Sequence, residues 1–163
     1  MSPPRVFFSY SHDSDEHRAA VLGIAQRMRD QDGIDALIDQ YIAGSPDVGW
    51  PRWMLNEIEA AAHVLVVCTP TYYHRFRGRE APGKGKGADW EGAIITQELY
   101  DSRSTGTKFV PLLLDPAHEA CIPEPLRAAT RYTLTSSGEY YRLCKFLRAK
   151  RASKLARWLY FQQ

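Results

Sequence analysis

Seven consecutive residues, "HVLVVCT" (63–69), leave no polar face between them. A run this short and this apolar, rich in β-branched side chains, suits a strand covered on both sides. Such strands belong to parallel sheets, because the crossover needed to return to a parallel neighbour places helices on the faces. The run therefore demands layers above and below it.

The rest of the chain supplies those layers. "RVFFSY" (5–10), "IDALID" (34–39) and "TKFVPLLLD" (107–115) read as further strands, and "TRYTL" (130–134) as a shorter, more polar edge strand. Helical patterns separate them. "EHRAAVLGIAQRMRDQ" sets Val21, Leu22, Ala25 and Met28 on one side, and Gly33 stops it. Asp13 and Glu16 have capping-box spacing ahead of it. "WPRWMLNEIEAAA" carries Pro51 in its first turn, where proline is tolerated. A third helix is expected over about 89–102. "GEYYRLCKFLRAKRA" closes the series, with Tyr141, Leu143, Cys144 and Leu147 as its apolar positions. "PTYYHRFRGREAPGKGKGAD" reads as a twenty-residue loop, long enough to be suspected of function. The order predicts an α/β, flavodoxin-like three-layer fold with a five-stranded parallel sheet, order 2-1-3-4-5. In such sheets ligands sit beyond the carboxyl ends of the strands. "SYSHDS", "DQYIAG", "TPTYYHRF" and "DPAHEA" collect on that rim.

Composition narrows the function classes. The 163 residues suit one domain over 1–150, with 151–163 as a C-terminal extension, linker or tag remnant, since "LYFQ" resembles a protease-tag fragment. A net charge of +2 gives little reason to expect nucleic acid. No stretch approaches the roughly 20 apolar residues of a membrane span. Cys68, Cys121 and Cys144 are odd in number and far apart, with neither zinc spacing nor a disulfide framework, so no metal is expected and a cytoplasmic location is. Cys68 ends a buried strand with no nucleophile motif around it. No glycine-rich dinucleotide fingerprint follows the first strand, which argues against a dehydrogenase.

The helix expected over 89–102 holds an oddity. At 100° per residue, Ile94 and Ile95 fall at about 40° and about 140° from Trp90. Glu91 and Glu98 fall at about 100° and about 80°, within the same arc. Two carboxylates thus share the stripe that should be buried, unless the helix is rotated to expose them. Glu91, in the first turn, is also placed to favour the helix dipole.

"VFFSYSHDS", "LIDQ…GWPRWMLNEIEAA", "VLVVCTPTYYHRF", "GKGKGADWEGAIITQELYD" and "KFVPLLLD…IPEPLRAATRY" together resemble a bacterial SEFIR domain, a relative of the TIR domain, over about residues 5–148. The resemblance implies the same fold and two behaviours. SEFIR domains of interleukin-17 receptors and their adaptor associate with one another as scaffolds. Many bacterial and plant TIR domains cleave NAD at the nicotinamide–ribose bond, and such proteins resemble anti-phage components. NAD is then a substrate, with no resident cofactor. The expected partners are a homo-oligomer built through SEFIR–SEFIR contacts and other SEFIR or TIR domains.

TIR enzymes use a glutamate about a dozen residues before the proline of the next strand. Pro111 lies thirteen after Glu98, and Leu99 matches the residue that follows the TIR glutamate. Ile94 stands four after Trp90, so the count runs from the proline end. The resemblance thus implies Glu98 as the catalytic carboxylate, with Glu91 as second choice. Cleavage builds positive charge on the ribose, which a nearby carboxylate stabilises. By the same carry-over Tyr10, Ser11 and His12 line the nucleotide site, with Ser11 and His12 where TIR enzymes often carry arginine. Asp39, Tyr72, Arg75 and Trp90 are the other candidate contacts. Trp50 and Trp53 lie at a helix start in the stretch TIR domains use for assembly, and read either as core or as an association surface.

Overall fold

The computed structural model describes residues 3–78 and 107–160, with side chains described as far as Ala149. The sheet is formed by β1 (Arg5–Ser9), β2 (Asp35–Leu37), β3 (His63–Val67), β4 (Phe109–Leu113) and β5 (Tyr132–Thr133). All pairings are parallel, in the order β2-β1-β3-β4-β5. The helices among the described residues are α1 (Asp15–Gln31), α2 (Trp50–Ala60), α3 (Pro70–Phe76) and α4 (Ser137–Tyr160). Two short 3-10 turns, Pro116–Cys121 and Glu124–Leu126, bridge β4 to β5. The sheet order and the covering of both faces are those expected from the sequence.

Strand alternation divides the core in two. Val6, Phe8, Leu65, Val67, Val110 and Leu112 meet Val21, Ala25 and Met28 of α1 and Leu143, Cys144 and Leu147 of α4. Their strand neighbours Phe7, Val64, Val66 and Phe109 meet Trp53, Met54 and Ile58 of α2 on the other face. Successive side chains point to opposite faces, so an unbroken apolar strand serves both clusters at once. All five residues of β3 are buried, and all five of β4.

Pro111 sits inside β4, a place that normally rejects proline. Alternate residues of a parallel strand turn their backbone groups to opposite neighbours. Leu112 accepts from the Cys68 N–H on the β3 side, whereas Leu113 accepts from Leu134 on the β5 side. Pro111 shares the orientation of Leu113, yet β5 pairs only with Leu112 and Leu113. The missing N–H therefore faces no strand partner.

Three local expectations are corrected. The stretch 70–76, read as loop, is α3: Thr69 accepts a hydrogen bond from the Tyr72 N–H and Pro70 occupies the first turn, so the pair that looked like a break is a start signal. The cap of α1 is Ser14, which accepts from the His17 N–H at 3.0 Å, rather than an Asp13–Glu16 box. On α4 the buried tyrosine is Tyr140, with Tyr141 62% exposed. Positions 140, 143, 144 and 147 form one helical stripe that 141 does not share. Gly33 ends α1 as expected, at φ +63°, a conformation glycine adopts without strain. The backbone of α4 is helical to Tyr160, running on through most of the stretch expected as an extension, linker or tag remnant. No helix of the described residues is long and apolar enough to cross a membrane.

Candidate functional site

The loop after β1 and the turn after β2 meet at the carboxyl rim of the sheet. Tyr10 is buried, and its hydroxyl donates to Asp39 Oδ1 at 2.6 Å. The other oxygen of Asp39 lies 2.7 Å from His12 Nε2. Gln40 Nε2 donates to the Tyr10 hydroxyl at 2.8 Å and to the Arg18 carbonyl at 2.9 Å, tying the turn to α1. The imidazole of His12 also tilts against the Tyr10 ring, centroids 5.1 Å apart.

Electrostatics fix the proton states of this group. Burial pushes the Asp39 carboxyl up, but hydrogen bonds from His12 and Tyr10 outweigh it and hold the group below its ordinary value. Burial, the Asp39 hydrogen bond and the Asp39 charge raise the Tyr10 phenol far above its ordinary value, so it remains a donor.

A second cluster closes the crevice between β1 and β3, where strand order reverses and α/β sheets bind ligands. Ser11 is fully buried; its hydroxyl donates to Asp13 and lies 3.2 Å from Thr69 Oγ1. Ser9 Oγ and the Tyr72 hydroxyl are 2.9 Å apart. Tyr72 is buried on α3, and Arg75 stands in the last turn of that helix. Of the expected site residues, Tyr10, Ser11, His12 and Asp39 thus converge on the rim, and Tyr72 joins them through Ser9. Glu91, Glu98 and Trp90 lie outside the described residues, as does the part of the long stretch read as a loop that follows Gly78.

Beside the rim stand two histidines the sequence reading did not single out. His17 Nε2, in the first turn of α1, and His118 Nδ1, after β4, are both shielded from solvent without a hydrogen-bond partner among the described residues. Burial pushes the His17 pKa down; Asp13 opposes this, while His118 and His12 lower it further. Gln40 also went unnoticed. Its neighbour Asp39 gave no hint that an amide would reach back to Tyr10. Cys68 is buried, and desolvation with Cys121 nearby pushes its thiol up to about 12, the state of an inert core residue. No group of three or more potential metal ligands occurs among the described residues.

Trp50 and Trp53 divide the two readings offered for them. Trp53 is buried edge-on against Phe7, whereas Trp50 stays at the surface near Val48.

Comparison with known proteins gives a consistent family. A model described as SEFIR domain matches residues 4–147. Among solved structures, that of a prokaryotic SEFIR domain is 25% identical, covers 89% of this chain and 98% of its own, and superposes with a TM-score of 0.64. The interleukin-17 receptor B SEFIR domain is 12% identical, covers 90% of this chain and 98% of its own, and gives 0.57, a likeness of fold alone. No curated protein matches the chain.

Proposed function

Because this chain belongs to the SEFIR domain family, we propose that it is a signalling effector that cleaves NAD at the nicotinamide–ribose bond when copies of it assemble. The observation that supports this is the rim itself: an ionised carboxylate, Asp39, held by Tyr10 and His12 beside the crevice where parallel sheets take nucleotides. Each carboxylate oxygen has a second lone pair, so Asp39 retains capacity to accept from a ribose hydroxyl. Ser11 and Thr69, both buried, join the adjoining loops with their hydroxyls 3.2 Å apart.

Glu98 is the proposed catalytic carboxylate. Nicotinamide leaves a cationic ring as a neutral molecule, so the reaction needs no acid for the leaving group. It needs negative charge near the ribose as the C1′–N bond opens. Assembly enters because TIR relatives complete their site with a neighbour's loop.

A second reading is association without chemistry. It is favoured by Val48 and Trp50, exposed large apolar residues at the entry to α2. The deciding experiment incubates concentrated or artificially clustered protein with NAD, beside Glu98→Ala and Glu91→Ala. Nicotinamide release abolished by Glu98→Ala and retained by Glu91→Ala supports the enzyme. Self-association with no release in any clustered state leaves the scaffold.

A further inference from the structure

His12 is half exposed, at 47%, yet firmly held. Its Nε2 meets Asp39 Oδ2 at 2.7 Å and its ring leans on buried Tyr10. Asp39 is itself fixed by the Tyr10 hydroxyl, and Tyr10 by Gln40, which is anchored on the Arg18 carbonyl. Three side chains and a backbone carbonyl thus brace one exposed imidazole. An exposed ion pair contributes only about 0–1 kcal/mol, so stability gains little from the arrangement.

The brace does decide where the proton lies. An ionised carboxylate only accepts hydrogen bonds, so His12 Nε2 must carry the hydrogen. In the neutral imidazole the lone pair is then on Nδ1. Among the described residues no partner occupies that nitrogen, and the ring stands on the loop that leaves β1 at the rim. A carboxylate that fixes the tautomer and orientation of a histidine prepares it as a general base.

We infer that His12, oriented by Asp39, is the base that takes a proton from the water attacking the ribose. This rests on the NAD reading above. The water oxygen bonds to C1′ as the C1′–N bond breaks, and that electron pair leaves on nicotinamide. The water proton passes to His12 Nδ1 and from there to solvent. The sum is NAD plus water giving ADP-ribose, nicotinamide and a proton. His12 is the catalytic residue of this step; Asp39, Tyr10 and Gln40 are positioning residues. Asp39 and Tyr10 are the titratable groups that touch the imidazole, and His17 feels its charge.

Two measurements test this. Long-range proton–nitrogen NMR of the full chain reads the His12 tautomer without any substrate. The expected result, for the neutral imidazole, is a proton on Nε2 and a bare Nδ1, lost in Asp39→Asn. A general base works only while unprotonated, so nicotinamide release by clustered protein is expected to fall at acid pH. His12→Gln, a change at an exposed position, should slow release about 100-fold and abolish that acid fall. Gln40→Leu should keep the acid fall but reduce release several-fold.

A tautomer protonated on Nδ1 overturns the inference even with NAD cleavage intact. So does a His12→Gln protein that keeps wild-type release and its acid fall. If clustered wild-type protein releases no nicotinamide, the NAD reading fails and the water step fails with it. The NMR result then reports separately whether Asp39 orients His12.

Discussion

Trp50 meets Trp53 edge-on, ring centroids 5.5 Å apart and planes at 87°, yet one tryptophan is 36% exposed and the other 8%. The contact straddles the boundary between core and surface. Gly49 starts α2 at φ +83°, and the chain enters the helix with Trp50 outside and Trp53 one turn further in. Trp53 also packs on Phe7 of β1, centroids 5.7 Å apart, so its loss opens a hole at the sheet.

The two positions should therefore separate in equilibrium unfolding. Trp53→Ala is expected to cost about 3–5 kcal/mol. Trp50→Ala should cost under about 1 kcal/mol, as surface changes do. If Trp50 serves association, its replacement should instead weaken concentration-dependent assembly in sedimentation experiments. Equal destabilisation by both would contradict the division of roles.

Acid should destabilise the fold in two stages. The folded-state pKa of His17 lies below its unfolded value, chiefly through burial. The unfolded chain then binds more protons, so the stability His17 contributes is present above about pH 6.5 and is lost as pH falls through the folded pKa. Asp39 is likewise depressed when folded, by His12 and Tyr10 against the pull of burial. Its contribution is present above about pH 4 and lost below that. Urea midpoints measured across this range should decline first below about 6.5 and again below about 4. His17→Gln should flatten the first stage alone. An unchanged profile in that variant would remove His17 from the account.

Cys68 should resist thiol reagents in the native state. Its thiol is pushed up to about 12 and its side chain is fully buried beneath α3 and the turn after β4. Labelling at pH 8 followed by peptide mass mapping should find Cys68 modified only after denaturant is added. Cys121, half-buried where Cys68 and Cys144 are buried, should label first among the three. Rapid native modification of Cys68 would show that the strand end opens readily.

Much of this protein was legible before any tertiary information. Apolar runs at 63–69 and 107–115 could only be buried strands, because no face of either is polar. The alternation of strand and helix then fixed a parallel sheet, and handed crossovers reduced its order to 2-1-3-4-5. Gly33 and Pro51 read correctly because each acts on its own backbone torsions. Local signals failed where two of them competed. Thr69–Pro70 marks a helix start as well as a loop, and Tyr140 and Tyr141 differ by a single step of helix phase.

What the chain alone could not determine is which polar residues would meet. Tyr10 stands some thirty positions before Asp39 and Gln40, and only the register of β1 against β2 brings their loops together. A hydrogen bond depends on distances of a few tenths of an ångström, whereas sequence pattern specifies only which face a residue takes. The hydrophobic period therefore set the sheet and its layers, and the packed fold decided that a carboxylate would hold His12 at the rim.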